Sequence, residues 1–311
     1  METSNSNSES EKVKPFEYEC DENGTLTISR LVEEPIALSK AETDTWSFSI
    51  TVPGRGIIEG IHLKDLKSSV RTLVVKGEVE KIGDDVFSNC PSLENVELSS
   101  SLQSIGDNAF QKCNTLRRIR IPAGVTRLGS SVFYECDDLE EIESESLRYP
   151  AEDGVLFKVA DDGKKILVRY PSDREGKHYT IPNDVVEIEE YAFAKSRNLV
   201  SITIPKTVKR IGCCAFDTCR DLRFITASWL RPPKVNSDIF RFFTKPSKIR
   251  LIVPYGMRST YRAAPVWKKC MVVERSYPER FVSYRLRLLR NVRSKISCSH
   301  AVCRHKKGIA L

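Results

Sequence analysis

Between Lys81 and Glu143 the apolar positions return with a fixed period. Ile82-Gly83, Ile105-Gly106 and Leu128-Gly129 open three copies of one pattern. Phe87, Phe110 and Phe133 follow, then Cys90, Cys113 and Cys136, then Leu93, Leu116 and Leu139; Val96, Ile119 and Ile142 close the copies. The step from Phe87 to Phe110 equals that from Phe110 to Phe133, twenty-three positions each time. A period of this size marks an array of stacked coils, because one copy has too few apolar residues to enclose its own core and shares it with its neighbours. Within a copy, Leu93-x-x-Val96-x-Leu98 predicts a strand with Val96 and Leu98 inward and Asn95 and Glu97 outward. The Gly-x-x-x-Phe-x-x-Cys segment predicts a tight turn and a short helical turn on the opposite side. Its glycines serve either a positive φ or close packing.

The pattern extends in both directions. Phe16 to Ile28 reads as a strand pair with Asn23-Gly24 as the turn. Trp46-x-Phe48-x-Ile50-x-Val52 reads as another strand, and Ile57, Ile58, Ile61, Leu63 and Leu66 as a short amphipathic segment. Leu73 and Val75 lie one full period before Val96 and Leu98, so the parallel ladder is expected to begin there. After Ile142 the period breaks, since Phe133 and Phe193 are separated by two periods and fourteen further positions. The extra length holds Val155-Leu-Phe157 and Ile166-Leu-Val168 around Asp161-Asp-Gly163, a hairpin signal expected to project from the array. Two further copies follow, Ile188 to Ile204 and Ile211 to Ile225. Pro232-Pro233 ends the regular pattern. A strand at Leu251-x-Val253, a short helix from Ser259 to Trp267 and a strand at Met271-Val-Val273 would close the end. The expected organisation is a polar, disordered segment 1–15, an N-terminal cap 16–70, repeats 71–144, a hairpin insertion 145–178, repeats 179–227, a C-terminal cap 228–274 and a basic tail 275–311.

The repeat I-G-x-x-x-F-x-x-C-x-x-L-x-x-I-x-[IL] resembles the BspA-like leucine-rich repeat family. Gly24-Thr-Leu-Thr-Ile-Ser29 is similar to that family's N-terminal strand. Asp153-Gly-Val-Leu-Phe157 with Leu167-Val-Arg-Tyr-Pro171 is similar to its inserted hairpin, and Val253-Pro-Tyr-Gly256 with Tyr261-x-x-Ala264-x-x-Trp267 to its final cap. The resemblance covers residues 17–274. It implies an α/β solenoid, a right-handed leucine-rich repeat superhelix with a parallel β-ladder, short helical turns on the opposite side, an inserted β-hairpin and caps at both ends. It also implies a non-enzymatic protein-binding role, adhesion or contact with a host or other extracellular protein at the cell surface.

Charge and cysteine usage refine this picture. The net charge is +7, but the tail 275–311 carries ten Lys/Arg and one acid, a local +9, so the chain before it sums to −2. Phe281, Tyr284, Leu288, Val292 and Ile296 recur at helical spacing, with Arg285, Arg287, Arg290 and Arg293 elsewhere on the same helix. That is a basic amphipathic helix, read either as a cap on the solenoid through its apolar face, as a partly disordered appendage, or as a binder of an anionic membrane surface or nucleic acid, the alternative function. Ten cysteines are present, yet Cys90, Cys113, Cys136 and Cys219 share one repeat position. They read as small buried thiols in a ladder. No signal peptide is visible in Met1 to Lys14, and no stretch reaches membrane-spanning length.

No catalytic, cofactor or metal constellation emerges. Walker, Gly-x-Ser-x-Gly, dinucleotide and His-Glu-x-x-His patterns are all missing, and only four histidines exist. Cys298-x-His300-x-x-Cys303-x-His305 offers zinc-type ligands, but four ligands packed so closely would strain the backbone, so an unstructured tail is the reading. The outward strand positions carry the functional expectation. Glu97, then Arg118 and Arg120, then Glu141 and Glu143 form an acid–base–acid row, and Ser201 and Thr203 continue it. Self-pairing for solubility competes with a recognition strip for a protein partner. The expected protein is a monomer that binds its partner through these seven residues.

Overall fold

The computed structural model describes residues 16–30, 36–38, 47–52, 56–62, 67–77, 79–241 and 246–276. The polar segment 1–15, the arginine helix and the Cys298–His305 cluster lie outside the described residues. So do the side chains of the segment from Trp46 to Leu66.

A parallel ladder forms the main wall. It begins one coil earlier than the repeat period suggests. Thr25–Arg30 is both the second strand of an antiparallel hairpin with Phe16–Cys20 and the first parallel rung, with Leu26 opposite Leu73 and Ile28 opposite Val75. Thr72–Val75 then pairs with Asn95–Glu97, and Arg118–Ile121 with Glu141–Ser144. A five-stranded set, His178–Thr180, Ser201–Ile204, Phe224–Ala227, Arg250–Val253 and Met271–Glu274, completes the wall. Alternation does the sorting. Arg118–Ile121 runs exposed, buried, exposed, buried, and Phe224–Ala227 runs half-buried, buried, half-buried, buried. The amphipathic segment after residue 56 is a strand, Gly56–His62, antiparallel to Ser47–Val52.

A second, shorter parallel ladder faces the first: Ile36–Leu38, Val79–Ile82, Ser104–Ile105 and Arg127–Leu128, then Lys165–Arg169, Val185–Ile188 and Arg210–Ile211. Between the ladders, the expected helical turns are replaced by non-helical turns. Each holds two residues in the left-handed region four positions apart, such as Asp85 (φ 57°) and Asn89 (φ 60°), or Asn108 (55°) and Lys112 (62°). For a residue other than glycine this costs about 1 kcal/mol or more. The offset comes from the neighbouring coil. Phe87 N–H donates to Ala109 O at 3.0 Å, Phe110 N–H to Val132 O at 3.2 Å, and Phe193 N–H to Ala215 O at 2.9 Å. A helical turn would spend those donors along its own axis. The one α-helix among the described residues, Arg258–Ala263, lies near the C-terminal end.

The interior is a column of rings. Phe87, Phe110 and Phe133 stack at 5.6 and 6.3 Å, and Phe193, Phe216 and Phe240 at 5.4 and 5.8 Å. Beside them runs a thiol ladder. Cys113, Cys136 and Cys219 donate to the carbonyls of Phe87, Phe110 and Phe193 at 3.3, 3.2 and 2.9 Å. The eight described cysteines are unpaired. Burial pushes the Cys136 and Cys219 thiols up to about 12. Gly106 needs no positive φ; it serves close packing, since a Cβ there would lie 2.6 Å from the Asp84 backbone nitrogen.

The hairpin does not project. Val155–Val159 and Lys165–Arg169 are antiparallel, and Lys165–Arg169 also pairs in parallel with Val185–Ile188. The insertion is thus a modified rung. Tyr170 continues the ring column, 5.2 Å from Phe193, and its N–H donates to Ala192 O at 2.8 Å as the phenylalanines do.

Replacing Phe110 by Ala should cost about 3–5 kcal/mol, read from urea unfolding. Folded protein at pH 8 should leave Cys136 and Cys219 unmodified by iodoacetamide until the chain unfolds, because the reactive thiolate is scarce far below about 12. Peptide mass spectrometry reads the labelling.

Candidate functional site

The outward positions of the main wall form one face. Strand pairing fixes their register: Arg118 opposite Glu141 and Arg120 opposite Glu143, then His178 opposite Ser201 and Thr180 opposite Thr203. Phe224 and Thr226 follow, then Arg250 and Ile252, then Met271 and Val273. Like positions on adjacent rungs are about 4.8 Å apart, so side chains on this face meet along rows.

The charged half is tightly paired. Arg120 donates from Nε and Nη2 to Glu143 Oε2 at 2.8 and 2.6 Å, and Nη1 reaches Glu145 at 3.3 Å. The hydrogen bond to Glu143 raises the Arg120 pKa further above its usual value. Arg118 lies 3.9 Å from both Glu140 and Glu141. These guanidiniums remain about two-thirds exposed, so water screens the pairs.

Glu97 stands apart from the expected acid–base–acid row. Strands Asn95–Glu97 and Arg118–Ile121 belong to different hydrogen-bonded sets, and Glu97 makes no ion pair among the described residues. A concavity of about 430 Å³ opens there, lined by Glu97, Leu98, Ser100, Arg120, Pro122 and Glu145.

Ser201 and Thr203 sit on the other half of the face. The hairpin corner lies beside Glu141–Ser144: Gly154 O accepts from Ile142 N–H at 3.1 Å, and Asp153 O accepts from Arg174 Nε at 2.9 Å. The rungs of Glu141 and His178 are therefore not hydrogen-bonded neighbours. Beyond the corner the face loses most of its charge. His178, exposed, meets Ser201 Oγ through Nδ1 at 2.6 Å. Arg250 covers the Phe224 ring at 5.8 Å. Met271 and Val273 are 52% and 39% exposed.

Two features escape sequence reasoning. One is the continuation of the face beyond the outward Phe224 to an apolar end, Ile252, Met271 and Val273. Its signal was present in the alternation of Arg250–Val253 and Met271–Glu274, whose outward members are largely apolar. The other is a groove of about 680 Å³ on the second-ladder side. Its lining joins the hairpin tip, Asp162 and Lys164, to Glu187, Arg210, Trp229 and Leu230. Arg210 pairs with Glu187, and the Thr207 hydroxyl in the same lining has no hydrogen-bond partner. No sequence pattern links positions so far apart. Among the described residues no group of three or more His, Cys, Asp and Glu is placed to hold a metal, and no helix is long and apolar enough to cross a membrane.

A profile of the BspA type leucine rich repeat region matches six copies, over residues 66–152 and 172–259. Among solved structures, the chain is similar to a leucine rich cell surface protein from Faecalibacterium prausnitzii A2-165, with 20% identity and a TM-score of 0.45 over 86% of this chain and 95% of that one. It is also similar to a leucine-rich repeat protein from Eubacterium ventriosum ATCC 27560, with 20% identity and a TM-score of 0.46 over 75% and 74%. The pneumococcal vaccine antigen PcpA gives 15% identity and a TM-score of 0.40 over 84% and 97%. No curated protein matches.

Because its partners are exposed, Arg120→Gln should lower the urea midpoint slightly at low ionic strength, and the difference should vanish in about 1 M salt, where screening acts within about 3 Å. Unfolding curves at two salt concentrations read this.

Proposed function

The chain belongs to the BspA type leucine-rich repeat family, and from that premise we propose that it is a non-enzymatic protein-binding module that engages its partner through the open face of the main wall. The observation that supports this most directly is the composition of that face in register. One half presents paired charges, Arg118, Arg120, Glu141 and Glu143, with Glu97 beside a concavity. The middle presents Ser201 and Thr203. The far end presents Phe224, Ile252, Met271 and Val273. Protein interfaces combine these ingredients, with apolar anchors giving up water and a charged rim setting orientation and encounter rate.

Rigidity favours the same reading. The outward residues of this face stand on strands hydrogen-bonded to a neighbouring rung, so little ordering cost falls on the backbone at binding. The ion pairs are exposed and can be exchanged for a partner's charges. The module acts as a monomer toward a protein ligand, and adhesion to a host or other extracellular protein is the use that family membership suggests. The alternative, an anionic surface bound by Arg285, Arg287, Arg290 and Arg293, rests on residues outside the described ones.

The test is a pull-down with the full chain, followed by affinity measurement against the protein recovered. Arg118→Glu with Arg120→Glu should weaken binding at least tenfold, and Met271→Ser with Val273→Ser should weaken it further while leaving salt dependence unchanged. Wild-type affinity in both double variants would remove the face from consideration. Binding that survives both and collapses with salt would instead favour the arginine tail.

A further inference from the structure

The hairpin rung departs from its neighbours at one interior residue. In the other coils the position before the interior ring is apolar: Val86, Ala109, Val132, Ala192, Ala215 and Ile239, all buried. One period before Ala192, that position holds Arg169. It is buried as well, 4% exposed. A guanidinium does not shed its proton in a protein, so a full positive charge is held away from water, which is costly unless an anion compensates it.

What the protein offers Arg169 is neutral. Nη1 donates to Tyr191 O at 2.7 Å and Nη2 to Ser172 Oγ at 2.6 Å, while Nε has no acceptor. Asp137 acts on it at longer range, but its carboxylate is held by Lys195 at 3.0 and 3.2 Å. The nearby Cys136 and Cys219 thiols stay protonated, pushed up to about 12 by burial.

Other unpaired donors border the same place. A cavity of about 20 Å³ is lined by Arg169 together with Gly129, Ser131, Phe133, Glu190 and Tyr191. In neighbouring coils the N–H groups at the Ser131 and Phe133 positions reach the next turn: Asn108 to Ser130 O at 3.0 Å, Phe110 to Val132 O at 3.2 Å, Tyr191 to Cys213 O at 3.2 Å. At this seam the equivalent acceptor for Phe133 would be Arg169 O, one coil on, while Tyr170 N–H carries the relay onward to Ala192 O. The Ser131 and Phe133 N–H groups have no backbone acceptor among the described residues. The space suits one small particle.

We propose that this cavity binds a single small monovalent anion of chloride size, which neutralises Arg169 and accepts from the two orphaned amides. Glu190, exposed and lining the same cavity, is the competing counter-ion within the chain.

The experiment uses the full chain. Crystals soaked in bromide should show an anomalous peak beside Arg169 Nε. In solution the melting midpoint should rise with the logarithm of chloride concentration, gluconate holding the ionic strength constant. The rise should disappear in Arg169→Met and persist in Glu190→Gln. A cavity that holds only water in the bromide crystals overturns the proposal. So does a chloride response in Arg169→Met equal to that of the unaltered chain, or a response that appears only once Glu190 is replaced. If Arg169→Met does not fold, the bromide map and the chloride titration of the unaltered chain decide the matter.

Discussion

The hydrogen bonds that run from one coil to the next, on every side of the molecule, are the constraint to which the rest of this structure answers. A single coil has a few apolar side chains and a turn with two left-handed residues. Alone it would expose the former and could not sustain the latter. Stacking resolves both needs together. The ring column and thiol ladder bury the apolar groups, and the turn N–H groups find acceptors one coil away. Close approach follows, and it explains why glycine stands at 106, 129 and 212, where a Cβ would collide with the preceding coil.

The hairpin shows how strictly this holds. The additional length could have looped out. Instead it enters the stack, supplies a rung to the second ladder and places Tyr170 where a phenylalanine belongs. The shortened turn there leaves room for Arg169 and interrupts the amide-to-carbonyl relay between Phe133 and Phe193. The buried guanidinium of Arg169 thus arises where the hairpin lengthens the repeat.

Much of the architecture could be read from residue spacing. The period placed Phe87, Phe110 and Phe133 in one column, and alternation put Arg118 and Arg120 outside. Three things could not be read that way. The second ladder has several rungs of only two residues, such as Ser104–Ile105 and Arg127–Leu128, too short for any periodicity. The helical turns expected around Asp85 and Asn108 gave way to left-handed turns, because the donors that would close a helix serve the adjacent coil. The hairpin's place in the stack depends on a parallel pairing between Lys165–Arg169 and Val185–Ile188, which no local pattern announces. As for the candidate face, its charged rows were visible as outward positions. The separation of Ser201 and Thr203 from them, and the apolar end beyond, depended on where the hairpin corner came to lie.

The ring column has a further implication. The buried apolar residues fall into two clusters, one running from Cys20 to Leu156 and the other from Val155 to Val272, and they meet at the hairpin rung. In a linear array, cohesion between distant parts passes through every intervening contact. The hairpin rung, where the two clusters meet, is then where the molecule's cooperativity is weakest, and melting can halt there with one block intact and the other lost.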